Sequence, residues 1–196
     1  MRVLPEYATA HYHFANLLAG QPDRQHEAIF HYEKVLSLRP ESPEAHMGLG
    51  KVLLQIGRTS EGIAQFEAAL EARGNSPEIH AEFADALARL PGRLPDALAH
   101  YEEALRLNPQ LAWVHHSMAA HLIRIPERSA EAGRHIDQAL RLNPEYVEAH
   151  YLRGILFAQQ GRVEDARSAW NRALQIDASF EPARRNLELL DRDRAR

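Results

Sequence analysis

Cysteine is missing from all 196 residues, so the chain can build no disulfide framework, no thiolate zinc site and no cysteine nucleophile. That absence fits a reducing compartment, and a cytoplasmic location is the expectation. Long apolar runs are missing as well. Stretches such as Phe14 to Ala19 and Val52 to Leu54 fall far short of the roughly 20 residues that cross a bilayer, so membrane insertion is not expected. The first five residues hold one arginine and no apolar leader core, and no secretory signal is legible there. Helical patterning starts almost at once after Met1, the start expected of a piece of a longer protein. A basic excess is also lacking. With 23 Lys and Arg against 27 Asp and Glu the net charge is −4, without the positive field that binds phosphates by counterion release. Nucleic acid is therefore not an expected partner.

Signatures of chemistry are equally sparse. There is no Gly-x-Ser-x-Gly, no His-Glu-x-x-His and no glycine-rich phosphate loop. The Glu102-Glu103 and Asp191/Asp193 carboxylates read as solvated helix surface. The expectation is a chain that is not an enzyme, with no catalytic residue, no cofactor and no metal. Twelve histidines are many for this length, yet no two stand at i, i+3 or i, i+4 in one helix. His11-x-His13 and His115-His116 point to different helix faces, and a zinc site would need ligands from separate helices.

What the sequence does contain is repetition. Ala-Leu-Arg-Leu-Asn-Pro occurs at 104 to 109 and again at 139 to 144, a separation of 35. Histidine recurs at that period at His11, His46, His80, His115 and His150. A small residue follows four positions on, at Ala15, Gly50, Ala84, Ala119 and Gly154. A second small column, Ala28, Gly62, Ala97, Ala132 and Ala166, is trailed by a bulky one, Tyr32, Phe66, Tyr101, Ile136 and Trp170. Each unit thus carries two apolar helical faces separated by a breaker such as Gly57-Arg58-Thr59, Pro91-Gly92-Arg93 or Gly161-Arg162. Ser42 and Ser76, each before a proline, read as N-caps of first helices, and Thr59 and Ser129 as N-caps of second helices. The small and large columns are complementary halves of one helix interface.

Leu49-Gly50 with Leu53, Gly57, Phe66 with Ala69-Leu70, and Ala97, Tyr101, Ala104 with Pro109 together resemble the signature of the tetratricopeptide repeat (TPR). The match runs from Tyr7 to Ala178. It departs where histidine stands in a usual aromatic place, where Arg153 replaces a leucine, and where Gly74 and Ala178 replace the inter-repeat proline. The resemblance implies an all-α fold, a right-handed superhelical solenoid of five helix-turn-helix repeats at about 7–41, 42–75, 76–110, 111–145 and 146–179. A capping helix at about 180–193 closes it, and 1–196 forms one domain.

It also implies a concave groove lined by the first helix of each repeat, with Tyr12, Asn16, Met47, Lys51, Asp85 and Arg89 facing it in the first three repeats. In the fourth and fifth, Trp113, His116, Ile123, Tyr151 and Ile155 would form an aromatic patch rimmed by Arg89, Arg124 and Glu148. The competing reading has Trp113 covering the linker and Ile155 packing as core. A chaperone-type carboxylate clamp is not matched, because Glu78 and Glu82 stand where cations belong. The five-fold histidine column reads as an aromatic-like filler with its ring nitrogens satisfied locally. The leading functional expectation is a scaffold or adaptor for a protein or peptide partner, of unknown oligomeric state. The alternatives are a helical-repeat RNA binder, since pentatricopeptide arrays share the period, and a non-catalytic arm of a larger enzyme such as a glycosyltransferase.

Overall fold

The computed structural model describes residues 5 to 194, with side chains for 7 to 192. Among the described residues the regular structure is eleven α-helices and two short 3-10 helices, Pro22–Arg24 and Pro126–Arg128, without a strand. The chain divides into two compact units, Met1–Leu107 and Asn108–Arg196. The first holds three helical hairpins: α1 (Pro5–Ala19) with α2 (Gln25–Leu38), α3 (Pro43–Gln55) with α4 (Thr59–Arg73), and α5 (Pro77–Ala88) with α6 (Leu94–Leu107). The second holds α7 (Ala112–Leu122) with α8 (Ser129–Leu142), α9 (Val147–Gln159) with α10 (Val163–Ile176), and a last helix, α11 (Glu181–Arg194). The division falls in the linker between the third and fourth hairpins. No helix is long and apolar enough to cross a membrane among the described residues.

The hairpins turn where the breakers stand. Gly57 and Gly161 take φ of 82° and 72°, a region open to glycine at little cost. Between hairpins two and three, where proline is lacking, Gly74 ends α4 at φ 68° and Asn75 follows at 50°. Their N–H groups donate to the Leu70 carbonyl at 2.9 and 3.2 Å, satisfying the exposed end of the helix.

Ser42 caps α3 as expected, its Oγ accepting from the Ala45 N–H at 3.3 Å. The expected caps at Thr59 and Ser129 are corrected: these are the first helical residues, and the preceding positions are Arg58 and Arg128, without a side-chain cap bond. The Ser76 hydroxyl, likewise, donates to Glu78 at 2.6 Å and makes no cap bond. The start of every second helix is marked instead by an arginine that pairs with an acid three residues on. The pairs are Arg24 with Glu27, Arg58 with Glu61, Arg93 with Asp96, Arg128 with Glu131 and Arg162 with Asp165. The acid sits in the first turn, where the helix dipole favours negative charge.

Small residues set the helix spacing. Ala15, Ala84 and Ala119 are fully buried. At Gly50 an added Cβ would lie 2.9 Å from the Phe66 ring, and at Gly154 it would overlap the Trp170 indole. Where the bulky residue is tyrosine its hydroxyl is buried and needs an acceptor. Tyr32 donates to Asn16 Oδ1 at 2.6 Å, and Tyr101 donates to Asp85. Phe66 stacks on Phe83 at 4.5 Å between centroids, joining hairpin two to hairpin three. At the C-terminal end α11 lays Ala183, Leu187 and Leu190 against Trp170, and Arg167 pairs with Asp191 at 2.7 Å.

Candidate functional site

In the first unit, the first helices bring three of the expected groove residues together. Lys51 on α3, Asp85 on α5 and Arg89 at its C-cap line a cleft of about 350 Å³ with Leu54, Gln55, Glu82, Ala86 and Leu90. The cleft exists because Glu82 and Ala86 form one row of α5 at four-residue spacing, with Leu90 just beyond its end, and Lys51 with Gln55 a facing row of α3. Lys51 bridges to Glu82 at 2.5 Å across it. Asp85 is steadied from behind by the Tyr101 hydroxyl, while Arg89 is exposed at the rim. Two cations and two anions leave the cleft without a dominant sign, and Leu54, Ala86 and Leu90 supply apolar wall. Tyr12 and Asn16 belong to a different arrangement: Tyr12 meets the Tyr32 ring edge-on at 6.3 Å and Asn16 accepts from the Tyr32 hydroxyl. Met47 is half-buried and does not line the cleft. Sequence reading missed Gln55, Ala86 and Leu90, although the four-residue row through Glu82 was there to extend.

In the second unit the expected aromatic patch is distributed over several tasks. Ile123 is buried at 6% exposure and packs inside. Tyr151 and Ile155 lie against the cluster built on Trp170, with Tyr151 edge-on to Phe180 at 5.5 Å. His116 approaches the Tyr146 ring at 5.0 Å. Trp113 is half-buried, and Arg124 and Glu148 are exposed.

The histidines form an arrangement that the periodic column alone did not disclose. Three hairpins place a second histidine, 20 residues on, opposite the first. Nδ1 meets Nδ1 at 2.7 Å between His11 and His31, 2.8 Å between His80 and His100, and 2.9 Å between His115 and His135. The other nitrogen of the first ring faces an acceptor: Asn75 Oδ1 at 2.6 Å for His80 and the Pro109 carbonyl at 3.2 Å for His115. Those nitrogens must therefore donate, their Nδ1 atoms accept, and His100 and His135 donate from Nδ1. Hairpins two and five keep the linker bond, from His46 to the Pro40 carbonyl and from His150 to the Pro144 carbonyl, both at 2.9 Å. Both ring nitrogens thus have local partners in His46, His80 and His115. Burial pushes His31, His80, His100, His115, His135 and His150 below the ordinary histidine pKa. Among the described residues no three histidines or carboxylates converge as a metal site would require.

Two patterns of the tetratricopeptide repeat match the sequence, over residues 24–90 and 127–182, together more than half of the chain. The chain belongs to the tetratricopeptide-repeat family. A search of curated proteins finds no match in sequence. Solved TPR structures share the fold. YrrB, described as a TPR protein with an unusual peptide-binding site, is 23% identical with TM-score 0.64, over 91% of this chain and 90% of that one. The thermophilic TPR protein TTC0263 of Thermus thermophilus is 19% identical with TM-score 0.70, over 93% and 98%. Yeast Tom70 reaches 0.82 at 18% identity over 98% of this chain, which spans 41% of Tom70. The TPR assignment accounts for the small and bulky columns and the 34- to 35-residue period.

Proposed function

We propose that this TPR chain is a non-catalytic scaffold that holds a segment of another protein against its first helices, with the cleft between α3 and α5 as the principal contact. The observation that carries the reading is the convergence of Lys51, Glu82, Asp85 and Arg89 around an apolar floor on one face of the first unit. A few placed polar groups on an apolar wall suit a peptide side chain with its neighbouring backbone. The balanced charge favours a mixed or polar segment over a polyanion, and the net charge of −4 argues against RNA. The peptide-binding site described for YrrB lends support by analogy of fold. In the second unit, Trp113 and His116 with Arg124 and Glu148 are the residues that a second contact would use.

Display selection of random peptides against the full chain tests this reading. Peptides recovered on the native protein should bind Arg89→Glu about tenfold more weakly, a difference of about 1.4 kcal/mol. An Arg184→Glu control on α11 should bind them unchanged. Failure to enrich any peptide, or equal binding by Arg89→Glu and Lys51→Ala, would remove the cleft from consideration.

A further inference from the structure

Two tyrosines pose the same problem and receive different answers. The Tyr32 and Tyr101 hydroxyls, on α2 and α6, each reach back to the residue 16 positions earlier on the first helix of the same hairpin. Tyr32 donates to Asn16 Oδ1 at 2.6 Å, and Tyr101 donates to Asp85. The acceptor is present only where a tyrosine is. In the other hairpins the same column holds Lys51, Ala120 and Ile155, none with a side-chain oxygen, and the bulky residue opposite has no hydroxyl. Asn16 shows that accepting this bond takes a neutral carboxamide oxygen and no charge. The negative charge at Asp85 is therefore surplus to the packing of hairpin three.

Within the chain that charge has no counter-ion. Asp85 is half-buried, and among the described residues no cation pairs with it. Lys51 is taken by Glu82 at 2.5 Å, and Arg89 stands exposed at the rim without an ion pair among the described residues. A half-buried carboxylate whose partner is a neutral hydroxyl is costly to keep, and this one lines a cleft of about 350 Å³ beside the apolar wall of Leu54, Ala86 and Leu90. That combination suits one kind of side chain, a long aliphatic stem that ends in a cation.

We propose that the cleft selects a segment carrying a lysine or arginine, whose charged head pairs with Asp85 while its stem lies on Leu54, Ala86 and Leu90. This deepens the reading of the cleft as a peptide contact and rests on it. The Tyr101 hydroxyl fixes Asp85 through Oδ1, so the carboxylate is oriented before the ligand arrives. Arg89, one turn further along, is left to the carbonyl groups of the same segment. The two contacts therefore serve different parts of the ligand and can be removed separately. An acidic residue in place of the basic one would meet Asp85 and Glu82 and be rejected.

Two display libraries of random peptides, one with a lysine or arginine fixed at its centre and one with a leucine there, test the proposal against the full chain. The native chain should retain peptides from the basic library about tenfold better. Asp85→Asn, which keeps an acceptor for Tyr101 as Asn16 does for Tyr32, should fold with an unchanged melting temperature and retain the two libraries equally. Glu188→Gln, exposed on α11, changes the net charge by the same amount and should leave the preference intact, which separates a built contact from general attraction to an acidic chain. Equal retention of both libraries by the native chain, or a preference that survives in Asp85→Asn or vanishes in Glu188→Gln, overturns the proposal. Where both libraries are retained equally and Arg89→Glu weakens both, the cleft stands as the contact and its preference for a cation falls. Where neither library is retained, both readings fall.

Discussion

Hairpins one, three and four fill the space between their two helices with a pair of histidines, while hairpins two and five use one histidine and a substitute. In hairpin two Gln65 meets His46 Nδ1 at 2.7 Å. In hairpin five the equivalent place, three residues after Ala166, belongs to Ala169, and the neighbouring Trp170 indole N–H donates to the Tyr151 carbonyl at 3.0 Å. One position of the second helix thus holds histidine, glutamine or alanine, while His46, His80, His115 and His150 each stay bonded to the linker before them. The consequences differ. A glutamine or an alanine takes up no proton, whereas a histidine pair makes the hairpin answer to pH; separately, the bulky Trp170 of hairpin five demands a glycine opposite.

The tryptophan in the bulky column of hairpin five is the least forgiving residue, and it gives the largest expected effect. Gly154→Val puts a branched side chain into the Trp170 ring, in a core that cannot expand. A loss of about 3 kcal/mol is expected in urea denaturation followed by circular dichroism. Hairpin four is the contrast, since Ala119 already stands at the equivalent place opposite Ile136. If Gly154→Val were as stable as the parent, the idea that Trp170 dictates the glycine would be wrong.

The histidine pairs give the next effect, and its sign follows from the lowered pKa values. A ring that resists protonation in the folded state is stabilising while neutral, so its contribution is complete above the unfolded value of about 6.5. It is lost as pH falls from there through the lower folded value. For His80, burial dominates, with Glu103 acting against it and Arg106 adding to it; for His100, Asp96 and Glu103 partly offset burial and the His80 ring. For His115, burial dominates over the Pro109 carbonyl, with Arg141 also lowering it. For His135, burial and His115 dominate, with Glu131 acting against them. A pair can accept one proton on the outer nitrogen of the second ring and keep its Nδ1 bridge, whereas a second proton must break it. The melting temperature should fall by several degrees between pH 7.5 and 5.5. The double variant His100→Gln, His135→Gln, which copies hairpin two, should flatten that fall. An unaltered slope would show that the pairs do not govern it.

Much of this was legible in advance, for reasons that mark the limits. The repeat and the two-helix unit could be read because helix packing imposes the same small and bulky residues every 34 or 35 positions. The histidine pairing was written in the 20-residue separation of 11/31, 80/100 and 115/135, but it crosses a turn and so escapes a search confined to one helix. Thr59 and Ser129 were read as caps from residue type; the arginine before each takes that place, because its pairing with the acid at the third position ties the first turn together. At the groove, residue positions on the first helices could be inferred. The tasks of Asn16 and Asp85 could not, because they depend on a tyrosine 16 residues away needing an acceptor.

Those tyrosines allow a smaller comparison between hairpins three and two. Tyr101→Phe removes a hydroxyl from Asp85 without changing the ring volume, and hairpin two already has Phe66 at that place. A loss of about 1 kcal/mol is expected from the missing bond, read as a shift in the urea midpoint at constant slope. A neutral outcome would mean that Asp85 is satisfied by water as well as by Tyr101.

The smallest effect should separate the arginine pairs by their exposure. Arg58 and Glu61 are 43% and 57% exposed, whereas Arg128 and Glu131 are 32% and 23%. Both are i, i+3 pairs of nearly equal length, so geometry does not distinguish them and solvent screening does. Arg58→Ala should leave the urea midpoint unchanged, and Arg128→Ala should lower stability by about 0.5 kcal/mol. The difference should shrink when salt is raised to about 1 M, where screening reaches about 3 Å. Equal losses at both sites, undiminished by salt, would mean that the arginine acts through the packing of its aliphatic stem on the helix start and not through its charge.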